Sequence, residues 1–187
     1  PYILAGAPKH DNGNANTNID NGAAWIFERD PAAAAQWKRV RKLIGSASAG
    51  TNYGNAVALA GEYALVGAEA ETTPVRGAAY AYHRRQGLNS WGLVEKIVPA
   101  TTVVNPTFGF GSSVAVSESH FLVGAAQYDT AFANTQIPNR GRAYFFHAAC
   151  VSGIPPEMNT VRVAIQEEFV PTLQLECRPI PFSDQLT

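Results

Sequence analysis

Any catalysis or metal chemistry in this chain would have to start from four histidines, two cysteines and fifteen carboxylate side chains. His10, His83, His120 and His147 are scattered, and none forms a His-Glu-x-x-His pair. There is no Gly-x-Ser-x-Gly elbow, and no glycine-rich loop stands between a strand and a helix to cradle phosphate. Glu69 and Glu71 make a carboxylate pair, but on a loop between strands they read as solvated side chains rather than an acid and a base. Cys150 and Cys177 lie outside any Cys-x-x-Cys or Cys/His spacing. They suit one disulfide in an oxidising compartment better than a metal site, the alternative being two unlinked buried thiols. No constellation for an enzyme emerges.

The bulk properties set the kind of scaffold that carries these residues. In 187 residues, 46% are hydrophobic, enough for a genuine core. Net charge is −1, and the only dense basic cluster is Lys38-Arg39-Val40-Arg41-Lys42, so nucleic acid is not an expected partner. Glycine, asparagine or charge interrupts every apolar run before the roughly 18 residues that a membrane span requires. The strand pattern is already under way at Tyr2-Ile3-Leu4 after an initial Pro1, which suggests a fragment or processed product of something longer.

The pattern repeats. Tyr2-Ile3-Leu4-Ala5-Gly6-Ala7 returns as Tyr63-Ala64-Leu65-Val66-Gly67-Ala68, and Phe121-Leu122-Val123-Gly124-Ala125 is a third copy, at steps of about 60 residues. After each comes a polar loop and a small-small-aromatic-x-aromatic block: Ala23-Ala24-Trp25-Ile26-Phe27, Ala78-Ala79-Tyr80-Ala81-Tyr82 and Arg142-Ala143-Tyr144-Phe145-Phe146. Tyr53-Gly54-Asn55-Ala56-Val57-Ala58-Leu59 matches Phe110-Gly111-Ser112-Ser113-Val114-Ala115-Val116, and Trp37 to Leu43 matches Trp91 to Ile97. In the second of these last copies, alternation puts Trp91, Leu93, Glu95 and Ile97 on one face. Each unit is therefore four short strands, the pattern of a propeller blade. Glycine and alanine at Gly54, Ala58, Gly67 and Ala68 would let strands crowd near an axis, with Tyr80, Tyr82, Tyr144 and Phe146 filling the gap farther out. His83 and His147 both follow an aromatic block, so they are expected to reflect the repeat rather than a metal pair.

Taken in order, Tyr/Phe-Gly, Val-Ala-Val/Leu, Leu-Val-Gly-Ala and Gly-x-Ala-Tyr-x-Phe, this set resembles the FG-GAP repeat over residues 1–148. The resemblance implies all-β propeller blades of four antiparallel strands on secreted or cell-surface proteins that bind other proteins or carbohydrate. About three repeats are present, an incomplete ring. Residues 149–187 form a separate C-terminal β segment, whose Val161 to Ile165 and Leu173 to Cys177 alternate apolar with polar. The resemblance further implies a Ca²⁺ loop after the Gly-Ala-Pro of each blade. Here that signature is degraded, and only Asp11, Asn14 and Asp20 offer a weak oxygen set, with an Asn/Gly-rich turn as the alternative. No other cofactor is expected.

Function on such a scaffold belongs to the loops His10 to Asn21, Glu69 to Arg76 and Gln127 to Arg140, which all join the same two strands of a unit and so fall on one rim. Tyr128, Phe132 and Arg140 are the expected partner contacts, since aromatics and arginine dominate binding hot spots. The leading expectation is an extracellular or surface scaffold that engages proteins or other subunits. The alternative is a lectin-like propeller with Trp25, Tyr80 and Tyr144 as stacking faces for a glycan.

Overall fold

The computed structural model describes residues 1–11, 20–33, 36–46, 50–71, 77–85, 90–98, 109–127, 130–132, 135–137, 141–147 and 163–164. All regular structure among them is β. The first sheet contains β1 (Tyr2–Ala7), β2 (Ala23–Arg29) and β3 (Trp37–Leu43) in that order. The second runs β4 (Val57–Ala60), β5 (Tyr63–Ala68), β6 (Ala78–Arg85), β7 (Ser90–Ile97). The third starts with β8 (Phe110–Val116) and β9 (His120–Ala125), after which β10 (Thr130–Phe132) and β11 (Thr135–Ile137) leave the sheet as a separate hairpin. It resumes with β12 (Arg142–His147) and closes with β13 (Val163–Ala164), a strand from the C-terminal segment. Every pairing of strands within these sheets is antiparallel. The sheets are the blades expected from the repeats, in an arc that is not closed.

Strand pairing fixes which residues of one blade correspond to those of the next. Gly6 pairs with Ala24, Gly67 with Ala79 and Gly124 with Ala143. Trp37 stands opposite Arg29 just as Trp91 stands opposite Arg84. Both outer strands carry a β-bulge at the same place, opposite the Ile26–Phe27 step of β2 in the first blade and the Ala81–Tyr82 step of β6 in the second. An extra residue in a strand reverses the facing of everything beyond it. The single face expected for Trp91, Leu93, Glu95 and Ile97 is therefore not found. Trp91 packs with Tyr80 and Tyr82 toward the first blade, whereas Ile97 packs with Phe110 and Phe121 toward the third.

The core lies between blades, in two layers. One joins Ala24, Ile26 and Leu43 of the first blade to Tyr53, Val66, Tyr80, Tyr82 and Trp91 of the second. The other joins Leu65, Ala79, Ala81 and Ile97 of the second blade to Phe110, Phe121, Val123, Tyr144 and Phe146 of the third. The aromatic blocks are thus the filling between blades, as their sequence positions predict.

Candidate functional site

The blades meet through a junction that is built twice. Gly22 bridges Tyr53 in parallel, and Gly77 bridges Phe110 in the same way, so the start of each aromatic block grips the Tyr/Phe-Gly of the following blade. A Cβ on Gly6 would run into the Gly54 carbonyl, and one on Gly67 into the Gly111 carbonyl. Gly54 and Gly111 themselves sit at φ 89° and 88°, a conformation that side-chain-bearing residues rarely adopt. The repeated glycines are there because backbones of adjacent blades touch. Asn55 spans the second junction, its Nδ2 donating to the Gly111 carbonyl at 3.1 Å while its Oδ1 accepts from the Glu69 amide at 3.3 Å.

Above the first junction lies a buried polar cluster that sequence reasoning misplaced. Glu71, expected as a solvated loop residue, is fully buried. Ser46 Oγ stands 2.7 and 2.8 Å from its two carboxylate oxygens, the Tyr80 hydroxyl donates to it at 3.0 Å and Lys96 Nζ lies 3.6 Å away. The loop after β5 folds inward because those donors satisfy a charge that would otherwise be costly to bury. Burial first, and then the neighbouring Glu71 charge, hold the Tyr80 hydroxyl well above the usual phenol range. Tyr53 and Tyr82 share a buried hydroxyl–hydroxyl bond of 2.7 Å, and burial raises both. At the other end of the junction, Arg84 donates to Tyr2 Oη and to Glu62 Oε1, at 3.1 Å each, and Tyr2 donates to Glu28 at 2.9 Å.

On the loop rim, Asp20 Oδ2 faces Lys9 Nζ at 3.1 Å, and the Asp20 amide donates to Asp11 Oδ1 at 3.1 Å. Asp20 is left-handed at φ 44°, as an Asx-rich turn allows. Asn14 lies outside the described residues, as do Tyr128, Arg140, Cys150 and Cys177. Phe132 ends β10 opposite Thr135, so the third loop carries a hairpin of its own. Of the proposed stacking faces, Tyr80 and Tyr144 are buried inside the blade stack. Trp25 is half-buried, with His10 stacked on it at 5.0 Å and Lys42 over its ring at 5.8 Å.

The two end faces of the arc complete the picture. Cross-strand partners share a face, so Ile3 with Phe27, Ala5 with Trp25, and Trp37 beside Arg29 form the outer face of the first blade. These are the positions that, as Ala64, Val66, Tyr80, Tyr82 and Trp91, the second blade buries against the first. In the first blade Ile3 and Trp37 are 44% and 42% exposed, whereas Trp91 is 1% exposed. The third blade presents the opposite face, with Leu122 paired to Phe145 and His120 to His147. Sequence reasoning equated His147 with His83 and overlooked that His120 must stand across from it. The signal was present, because Tyr63 pairs with His83 in the preceding repeat.

No curated protein matches the chain. Residues 37–82, from the outer strand of the first blade through the aromatic block of the second, match the family model described as the FG-GAP repeat. The matched segment holds the second-blade side of the first junction, Tyr53 and Gly54, and its strands β4, β5 and β6, with their glycines and aromatic block, recur in the third blade as β8, β9 and β12. Residues 37–82 thus carry an FG-GAP repeat, set in an all-β arc of propeller-type blades.

Proposed function

We propose that the chain is a binding module rather than an enzyme, and that its two end faces are its working surfaces, each built to pack against a further four-stranded β blade, of the same polypeptide or of another chain. In the isolated chain the simplest source of that blade is a second copy, docked head to tail. The observation behind this reading is the junction made twice within the chain. Each blade offers one face with aromatic residues at the Tyr80 and Tyr82 positions, and another with the Leu65 and Ala81 positions that receives it. The first of these faces is open on the first blade and the second is open on the third. Such an interface is heterologous and propagates rather than pairing symmetrically. FG-GAP repeats are typical of extracellular or surface proteins, and the Cys150 and Cys177 pair fits that setting, so we place the module outside the cell.

Mixing two blocked variants tests the arrangement. Trp37→Glu charges the first-blade face and Leu122→Glu the third-blade face. Each alone should be monomeric in sedimentation, and an equimolar mixture should form a one-to-one dimer. A mixture that stays monomeric, or single variants that associate like the unmodified chain, would refute the head-to-tail reading.

A further inference from the structure

The open face of the third blade carries a second feature. His120 and His147 are directly opposite each other on β9 and β12. Their ring centroids are 4.8 Å apart with the planes at 88°. Two imidazoles that share one ion through metal–nitrogen bonds of about 2.1 Å, at angles between square and tetrahedral, stand about 4.5–5.2 Å apart by centroid. The pair already has that spacing. His120 is also oriented, since its ring stacks on Phe145 at 4.7 Å and its Nδ1 lies 2.8 Å from Ser119 Oγ. With Nδ1–H donating to the hydroxyl, Nε2 is left with the lone pair, the arrangement by which outer-shell groups prepare a histidine ligand. Ser119 is in turn fixed by the turn that Ser117 makes between β8 and β9, where Ser117 Oγ accepts from the amides of Ser119 and His120.

We propose that His120 and His147 form a bidentate site for a late first-row divalent cation, with Cu²⁺ or Zn²⁺ the best fits to an imidazole pair. The remaining coordination positions go to water or to a donor on whatever lies against that face. Ser119 is a positioning residue, acting through His120.

The test uses the full chain carrying Trp37→Glu, which alters the far end of the arc and keeps the third-blade face open. Cu²⁺ titration followed by calorimetry should give one site, and the electron paramagnetic resonance spectrum should show two imidazole nitrogens. His120→Gln or His147→Gln should each weaken binding by about tenfold or more and remove one nitrogen from the spectrum, and Ser119→Ala should weaken it to a smaller extent. Replacing His10 and His83 together by Gln should leave the titration unchanged. Circular dichroism confirms that each variant is folded before it is compared. The proposal fails if the chain takes up no Cu²⁺, or if folded His120→Gln and His147→Gln bind it as the parent does. Because this outcome does not depend on association, it is separable from failure of the docking reading.

Discussion

At the scale of single residues, the most consequential side chain is Glu71, and its sequence context pointed the wrong way. A glutamate in a Glu-Ala-Glu turn looks solvated, since nothing local reveals that Ser46, Tyr80 and Lys96 converge on it from β6, β7 and the chain leaving β3. Glu71→Ala should cost about 3 kcal/mol, because it strands buried hydroxyl donors and the Lys96 charge together. Tyr80→Phe, which removes one donor and leaves the others, should cost about 1 kcal/mol. Urea denaturation midpoints measure both, and equal small losses would contradict a shared cluster. The tyrosines yield a pH prediction. Tyr53, Tyr80 and Tyr82 have folded-state values raised above the 10.0 of a free phenol, with burial as the first cause. The stabilisation they bring is fully present below pH 10 and is lost as the pH climbs toward their folded-state values, since the unfolded chain ionises first. A spectrophotometric titration should therefore show these phenols ionising only together with unfolding. Normal ionisation of every tyrosine with the fold intact would contradict their burial.

At the scale of strands and sheets, most of the structure was legible. The spacing of the Leu-Val-Gly-Ala and aromatic blocks places β1, β2, β5, β6, β9 and β12, and the Trp37 and Trp91 segments place β3 and β7. What could not be read was the bulge in each outer strand, because simple alternation carries no mark of an inserted residue. Val40 and Val94 sit at the same position of the two bulged strands, and both turn inward against the core layers. The crowding of Gly67 against Gly111 was expected in kind. Its partner was not, because a close approach between blades is a tertiary fact. Gly67→Ala must push two backbones apart and should cost about 3 kcal/mol, combining overpacking with local strain. Gly92→Ala, on the outer strand with Arg85 Nε 3.7 Å away as the nearest atom, should change stability by less than about 0.5 kcal/mol. Thermal melts of the two variants check this, and equal effects would mean that the blades are not in backbone contact at Gly67.

At the scale of the whole molecule, the arc has two unlike ends, and those ends define the account. Large apolar side chains that are closed over inside the arc, such as Trp91 at 1% exposure, have counterparts that stand open at its edge, such as Trp37 at 42%. The proposed docking rests on these exposed apolar side chains. The sequence made an incomplete ring visible through its repeat count, but not which faces would be open, since that depends on the bulges and on which side of each sheet the aromatic block falls. The candidate loop contacts Tyr128 and Arg140 lie outside the described residues, so the end faces carry the functional argument. The most direct test is native mass spectrometry of the unmodified 20.0 kDa chain over a range of concentrations. The account predicts species at successive multiples of that mass, growing with concentration. A monomer at every concentration would contradict it.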